Sequence, residues 1–218
     1  MIKQMADEIW DRLQGRIESL YLGGSRAVGV EMEGSDYDFF GIVNENYDFN
    51  EEKELNRELS KKYNEEIRLR GISLGELNGG NQRGIITKHI PISIVLKSFP
   101  NWEHLKGRVY RLGDFEIEPA SSEEEAGFYI ETLEKFREEA ENDELPFPFE
   151  DYVKNVLRLI GAEEQIRGES STQNFEKMAK RAPEHAKKLA EICIRYRKTG
   201  EIGRERFFEL LDRYLDYF

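Results

Sequence analysis

The sequence predicts an α/β (α+β) fold: a small mixed sheet backed by helices, followed by a helical C-terminal domain. Three observations support it. Short apolar runs alternate with helical patterns early in the chain, the pattern is helical throughout after residue 149, and the acidic, proline-containing segment 143–148 separates the two regions. We therefore predict a first domain over residues 1–142 and a helical domain over residues 149–218.

The first domain is predicted to begin with a helix over residues 5–18, whose apolar residues recur at helical spacing. Strands are predicted where short apolar runs are bounded by glycine, proline or polar residues, at 20–22, 39–43, 67–72 and 91–96. The polar, acidic segment 44–64 is predicted to be a loop with a partial helix. Ser73 and Glu76 have the spacing of a helix capping box.

The rest of the chain is predicted to be helical. An amphipathic helix over 123–140 completes the first domain. Helices are then predicted at 150–168, at 172–198 with an interruption at Pro183, and at 203–217.

Length and composition narrow the classes of function. The chain has 218 residues, a formal net charge of −12 and a charged fraction of 35%. Such an acidic protein is unsuited to broad, nonspecific binding of DNA or membranes, although the composition allows a local basic groove. The lone Cys193 cannot form an internal disulfide and fits a reducing cytoplasm. No apolar run approaches about 18 residues, so we expect a cytoplasmic protein with no membrane partner. The charge-rich composition is typical of a thermophile.

The stretch from Gly23 to Asp38 combines two features that phosphoryl chemistry needs. Glycines let the backbone approach phosphates, and the hydroxyl of Ser25 can donate to phosphate oxygens. Paired carboxylates can hold Mg²⁺ ions. Asp36 and Asp38 are two apart, so in a strand both face one side while Tyr37 faces the other. The eleven residues from Ser25 to Asp36 leave room for a short helix and a turn.

These residues resemble the nucleotidyltransferase signature of the DNA polymerase β superfamily. The matching strings are Gly24-Ser25-Arg26-Ala27-x-Gly29, Ser35-Asp36-Tyr37-Asp38 and Gly41-Ile42. They are similar to a branch of predicted nucleotidyltransferases associated with RNA repair. The resemblance covers residues 20–43, and several fixed positions agree in type and spacing.

The resemblance implies roles for individual residues. Gly24 and Ser25 would bind the triphosphate, and Asp36 and Asp38 would ligate two Mg²⁺ ions, for which Mn²⁺ can substitute. A third acidic residue on a neighbouring strand would act as general base or metal ligand.

The chain departs from the family pattern at this third acid. Where the family strand would carry it, before Gly71, this chain has Arg68. Glu66 lies two residues earlier and shares that strand face, so it is the predicted third catalytic and metal-binding carboxylate. Glu65 is the alternative in a shifted register.

Five further basic residues are candidates for phosphate contacts. Arg26 contacts either phosphate or a surface glutamate. Arg68 and Arg70 lie on the predicted active-site face, where they bind phosphate or nucleic acid, or else form a solvated strand edge. In the family a helix near residue 154 carries basic residues toward the nucleotide cleft, which the helical domain would close. Lys154 and Arg158, four residues apart on one helical face, are candidates for this nucleotide-binding role.

The implied activity is Mg²⁺-dependent transfer of a nucleoside monophosphate from an NTP to a hydroxyl acceptor, with release of pyrophosphate. The acceptor is an RNA end, a protein side chain or a small molecule. One alternative is a noncatalytic nucleotide-binding or partner-binding protein of the same fold; another is an antitoxin-like enzyme that modifies a protein.

The aromatic tail over residues 207–218 is predicted to be core or the interface of a homodimer.

Overall fold

The structure, a computed structural model, describes residues 1–31, 35–141, 148–170, 172 and 174–218. The chain divides into two compact units, Met1–Ala120 and Ser121–Phe218. This division differs from the boundary predicted at 143–148, of which residues 143–147 lie outside the described residues. The helix over Ser122–Glu141, predicted to complete the first domain, falls in the second unit because its apolar face packs into that unit's core.

A four-stranded mixed sheet forms the centre of the first unit. Its strands are β1 (Ile17–Leu22), β2 (Tyr37–Val43), β3 (Ile67–Ser73) and β4 (Glu103–Gly107), in the order β3-β2-β1-β4. Strand β2 runs parallel to β3, and β1 is antiparallel to both of its neighbours. The predicted mixed sheet is confirmed.

The described residues of this unit form five α-helices: α1 (Ile2–Arg12), α2 (Gly24–Ala27), α3 (Glu52–Tyr63), α4 (Leu74–Leu77) and α5 (Ile92–Lys97). One apolar cluster joins α1 and α3 to the face of the sheet that carries Phe39. A second cluster joins α4 and α5 to the face that carries Phe40 and Ile42. Both faces of the sheet therefore contribute to a core.

Two element predictions in this unit were wrong. The first helix ends at Arg12, and Ile17 opens β1 instead of continuing the helix, since the chain turns through Gly15 at φ +79°. The segment 91–96, predicted to be a strand, is helix α5. A short apolar run that is buried on most sides has the same sequence pattern in a strand as in a helix, so periodicity could not distinguish the two for this segment. The fourth strand is the polar β4, which has no apolar run to reveal it.

Helix α3 covers the outer edge of β3, which is an edge strand. The Asn56 amide donates to the Leu69 carbonyl at 3.0 Å, and its Oδ1 accepts from the Leu69 N–H at 2.7 Å. Ser60 and Glu52 accept in the same way from the N–H groups of Ile67 (2.9 Å) and Gly71 (2.8 Å). The three α3 side chains are four residues apart, and their targets are every second residue of β3, so helical and strand periodicities match.

The predicted capping box at the start of α4 is confirmed. Ser73 and Glu76 satisfy each other's backbone N–H groups. The other oxygen of Glu76 accepts from the N–H groups of Arg83 and Gly84 and from the Thr87 hydroxyl. This buried carboxylate therefore holds the loop that follows α4.

The second unit is helical in its described residues, as predicted. Its helices are α6 (Ser122–Glu141), α7 (Phe149–Ile166), α8 (Phe175–Arg181), α9 (Glu184–Thr199) and α10 (Arg204–Leu215). The interruption predicted at Pro183 separates α8 from α9. One apolar cluster, which includes Leu133, Leu157, Cys193 and Leu211, forms the core of this unit. Within the described parts of the chain, no helix has the length and apolarity to cross a membrane.

Candidate active site

Strand β2 carries charge at its start and apolar side chains further along. By strand alternation Asp38 and Phe40 point to one face, whereas Tyr37 and Phe39 point to the other. Asp36 directly precedes β2, and its carboxylate lies beside Arg68, on the side of Asp38. Tyr37 and Phe39 are buried in the cluster with α1 and α3. The side chains of Asp36 and Asp38 are 17% and 19% exposed. The predicted pair of carboxylates on one strand face is therefore present at the start of β2.

The glycine turn lies directly against this pair. The Gly23 N–H donates to the Asp38 carbonyl at 2.8 Å. Gly24 has φ +65°, and a Cβ atom there would lie 2.6 Å from Asp38 Oδ2, closer than real contacts allow. A Cβ atom at Gly23 would lie 2.5 Å from the Phe40 ring. Side chains at these two positions would crowd Asp38 and Phe40, and the glycines let the turn, with half-buried Ser25, lie beside the aspartates.

Arg26 holds the segment that delivers Asp36. Its guanidinium donates to the Ser35 carbonyl at 2.6 Å and to the Asp36 carbonyl at 3.2 Å, and it stacks over the Tyr37 ring at 3.7 Å. These contacts involve backbone carbonyls and a ring, not the surface glutamate considered from the sequence. Arg26 therefore stabilises the backbone segment that precedes β2. A contact between Arg26 and phosphate stays a proposal.

Arg68 bridges two of the predicted site carboxylates. Its Nη1 lies 2.8 Å from Asp36 Oδ2, and its Nη2 lies 2.5 Å from Glu66 Oε1. Arg68 is paired with Asp38 in the register of β2 and β3. Glu66, with a side chain 58% exposed, is thus connected to Asp36 through the guanidinium of Arg68.

Arg70 lies further along the same face. Its Nη2 is 3.4 Å from Asp38 Oδ1. Its Nε is buried and has no hydrogen-bond acceptor among the described residues. The site face of β3 therefore presents two guanidiniums to the two aspartates of β2.

The donor chemistry at the start of β2 fits a divalent cation. Ionised carboxylates provide only acceptor oxygens, which Mg²⁺ and Mn²⁺ prefer, and both aspartates are largely shielded from water. Among the described residues, however, no group of three or more His, Cys, Asp or Glu side chains is placed to hold a metal. The structure thus brings Asp36 and Asp38 together but does not add Glu66 to them as a third ligand.

Lys154 and Arg158 lie on α7, in the helical unit. Lys154 pairs with Glu150 at 2.9 Å, and Arg158 donates to Asn155 at 3.1 Å. Both side chains are partly buried. Their predicted contact with the nucleotide stays a prediction.

Comparison with known proteins agrees with this geometry. Residues 7–94 match the family model described as polymerase beta, nucleotidyltransferase. This part of the first unit is therefore similar to the nucleotidyltransferase domain of the polymerase beta superfamily. No curated protein sequence matches the chain. The matched range includes the glycine turn, the aspartates and both arginines of β3.

Among solved structures, the chain is similar to spectinomycin adenyltransferase AAD(9) from Enterococcus faecialis with ATP and spectinomycin. The TM-score is 0.65 at 16% sequence identity, over 98% of this chain and 96% of that chain. This likeness extends the shared fold to the helical unit. A toxin-antitoxin structure with AMP-PNP also matches, with a TM-score of 0.37, 14% identity, and coverage of 66% of this chain and 94% of that chain.

Sequence reasoning missed the residues of α3 that lie behind the site strand β3. Glu52, Asn56 and Ser60 fix the backbone of β3, and with it the positions of Arg68 and Arg70. Their spacing of four residues was visible in the sequence, but a polar stripe usually faces solvent. Its partner, an unpaired strand edge, appears only in the folded sheet.

Proposed function

We propose that this protein is a Mg²⁺-dependent nucleotidyltransferase that transfers a nucleoside monophosphate from an NTP to a hydroxyl acceptor. The observation that carries this proposal is the close approach of the Gly24 turn to Asp38, which puts a glycine backbone beside a pair of carboxylates. The family match over residues 7–94 supports the same reaction class.

The roles of the site residues follow from this arrangement. The turn at Gly24 and Ser25 binds the triphosphate, and Asp36 and Asp38 hold Mg²⁺, which neutralises charge on the phosphates. The acceptor oxygen forms a bond to the α-phosphorus, while the bond from the α-phosphorus to the bridging oxygen breaks and pyrophosphate leaves. The proton of the acceptor hydroxyl passes to a general base, for which exposed Glu66 is our candidate.

We propose ATP as the donor and a small hydroxyl compound as the first acceptor to test. The structure of similar fold was solved with ATP and spectinomycin, which motivates both choices. The net charge of −12 makes a long nucleic acid a less suitable acceptor than a small molecule. An RNA end or a protein side chain remains an acceptor class to include.

The decisive experiment follows the α-phosphate. The protein is incubated with Mg²⁺ and each of four NTPs labelled at the α-phosphorus, together with aminoglycoside-like compounds, RNA oligonucleotides or protein acceptors. We expect label to join an acceptor with release of one pyrophosphate. A parallel incubation uses NTPs labelled at the γ-phosphorus, and transfer of that label to the acceptor would instead indicate a kinase and contradict the proposal.

One observation favours a second candidate, a nucleotide-binding protein without turnover. Arg68 occupies the position where a third carboxylate is expected, and it is bonded to Asp36. Such a protein would bind Mg-NTP in calorimetry yet release no pyrophosphate with any acceptor. Binding and turnover measured on one preparation separate the two candidates.

A further inference from the structure

The unusual feature of this site is the pair of guanidiniums on its carboxylates. Arg68 and Arg70 alternate along β3 and so share the face that Asp36 and Asp38 occupy on β2. Arg68 contacts Asp36 at 2.8 Å, and Arg70 contacts Asp38 at 3.4 Å. Each aspartate therefore has a positive partner supplied by the chain itself.

These cations change the charge available to metal ions. Asp36, Asp38 and Glu66 with Arg68 and Arg70 leave a formal charge of −1 on the five side chains. Three carboxylates without arginines would carry −3 and could balance most of the charge of two divalent ions. Two divalent ions beside two guanidiniums would face strong like-charge repulsion in a half-buried site.

The arginines are also suited to phosphate. A guanidinium offers a planar set of donors that matches carboxylate and phosphate oxygens alike. Arg70 Nε is buried without an acceptor among the described residues, an arrangement that costs free energy until an acceptor arrives. Arg68 already forms ion pairs with two carboxylates. When a cation binds the Asp36 oxygen, the guanidinium donor that contacted that oxygen can bind a phosphate instead.

We infer that the site takes a single divalent cation, held by Asp36 and Asp38, and that Arg68 and Arg70 bind the NTP phosphates in place of a second cation. This inference rests on the proposed function, since it assumes that the site binds an NTP. It assigns the arginines a substrate-binding role that the family pattern, with its third carboxylate, does not contain.

The test counts bound metal. The protein is titrated with Mn²⁺ in the presence of saturating α,β-methylene ATP, which cannot donate its α-phosphoryl group, and free Mn²⁺ is followed by electron paramagnetic resonance. Control titrations of nucleotide alone correct for Mn²⁺ held by nucleotide in solution. We expect one Mn²⁺ per chain. Two Mn²⁺ per chain would overturn the inference while leaving the proposed function standing.

The remaining outcomes are also distinct. Nucleotide bound with no protein-dependent Mn²⁺ would overturn the inference, because it predicts one cation. Failure to bind the nucleotide at all would contradict the proposed function itself, and the inference with it.

Arg68→Glu restores a third carboxylate beside Asp36 and should admit a second Mn²⁺. Arg57→Glu makes the same charge change on an exposed position of α3 and should leave the count at one. In EDTA, Arg68→Ala should weaken binding of the nucleotide about tenfold, whereas Arg57→Ala should not. Unchanged affinity in Arg68→Ala would show that the guanidinium does not hold phosphate. Circular dichroism establishes that each variant is folded.

Discussion

At the scale of single residues, Asp36 and Asp38 concentrate negative charge at the start of β2. Replacing either by asparagine keeps its size but removes one charge from the cation site. We expect Asp36→Asn and Asp38→Asn each to abolish Mg²⁺-dependent NTP binding or transfer while the fold persists. Calorimetry with Mg-NTP measures the loss. Asp48→Asn, in an exposed turn, is the matched control, and affinity and rate equal to the unmodified protein in either site variant would refute the assignment.

Two features restrict which residue can occupy position 24: the positive φ of the backbone and the close approach to Asp38. Gly24→Val places Cβ against Asp38 Oδ2, so we expect NTP binding to be lost. Gly29 has the same φ of +65°, but a Cβ there meets no described atom within 4 Å. Gly29→Val therefore controls for backbone strain. Normal NTP affinity in Gly24→Val would show that the turn does not bind phosphate.

Ser25 contributes less within the same turn. Its hydroxyl would supply one hydrogen bond to a charged oxygen, so Ser25→Ala should weaken NTP affinity about tenfold rather than eliminate it.

If Glu66 is the general base, its substitution should affect the transfer rate and the NTP affinity differently. Glu66→Gln should leave NTP affinity almost unchanged and lower the transfer rate by about 10²–10⁴-fold. Glu65→Gln tests the alternative register; Glu65 lies in the bend before β3, outside the strand, so we expect this substitution to have no effect. An effect of Glu66→Gln below about 1 kcal/mol would mean that Glu66 is only a surface partner of Arg68.

At the scale of elements, the docking of α3 on β3 sets the position of the arginine face. Asn56→Ala removes both hydrogen bonds to Leu69 and leaves an edge N–H and C=O to water. We expect a loss of roughly 1–3 kcal/mol in the free energy of unfolding, measured with denaturant. Arg57→Ala, on the exposed side of the same helix, should change it by less than about 0.5 kcal/mol. Equal effects of the two substitutions would argue against a structural role for Asn56.

The site strands also depend on elements distant in sequence. The fourth strand pairs with β1, and α5 packs on the face that carries Phe40. Charged side chains thus lie at the start of β2 and β3, and the same face of the sheet is apolar further along both strands.

At the scale of the whole molecule, one buried carboxylate makes stability depend on pH. Burial raises the pKa of Glu52 to about 7 from its ordinary 4.5, although the Gly71 N–H and Tyr47 O–H donate to it. The folded state therefore binds more protons between these values, and the contribution of Glu52 to stability falls as pH rises from about 4.5 to 7. The difference corresponds to roughly 3 kcal/mol.

Glu52→Gln removes this titration and should remove the corresponding decline. Measured by denaturant unfolding from pH 4.5 to 8, the variant should gain stability relative to the unmodified protein as pH rises. Glu54→Gln, exposed on the same helix, should give a curve parallel to that of the unmodified protein. A parallel curve for Glu52→Gln would show that Glu52 is ionised throughout this range.

The two units have separate cores, and the family match lies in the first of them. The cytoplasmic location, the thermophilic source and the homodimer stay predictions from composition and from the aromatic tail.

The sequence by itself determined the motif and most elements. Spacing predicted that Asp36 and Asp38 share one face, left room for a short helix between Ser25 and Asp36, and identified the capping box at Ser73, because these patterns depend on neighbouring residues along the chain. Periodicity likewise identified the helices of the second unit.

Only the tertiary structure decided what the charged residues contact. Arg68 bridges Asp36 and Glu66, and Arg26 holds two backbone carbonyls, because strand pairing and loop geometry bring distant positions within hydrogen-bond distance. Helix α5 formed where a strand was predicted, since a short buried apolar run takes the structure that its surroundings allow. Local pattern thus specified the carboxylates, while long-range packing specified which cations of the chain reach them.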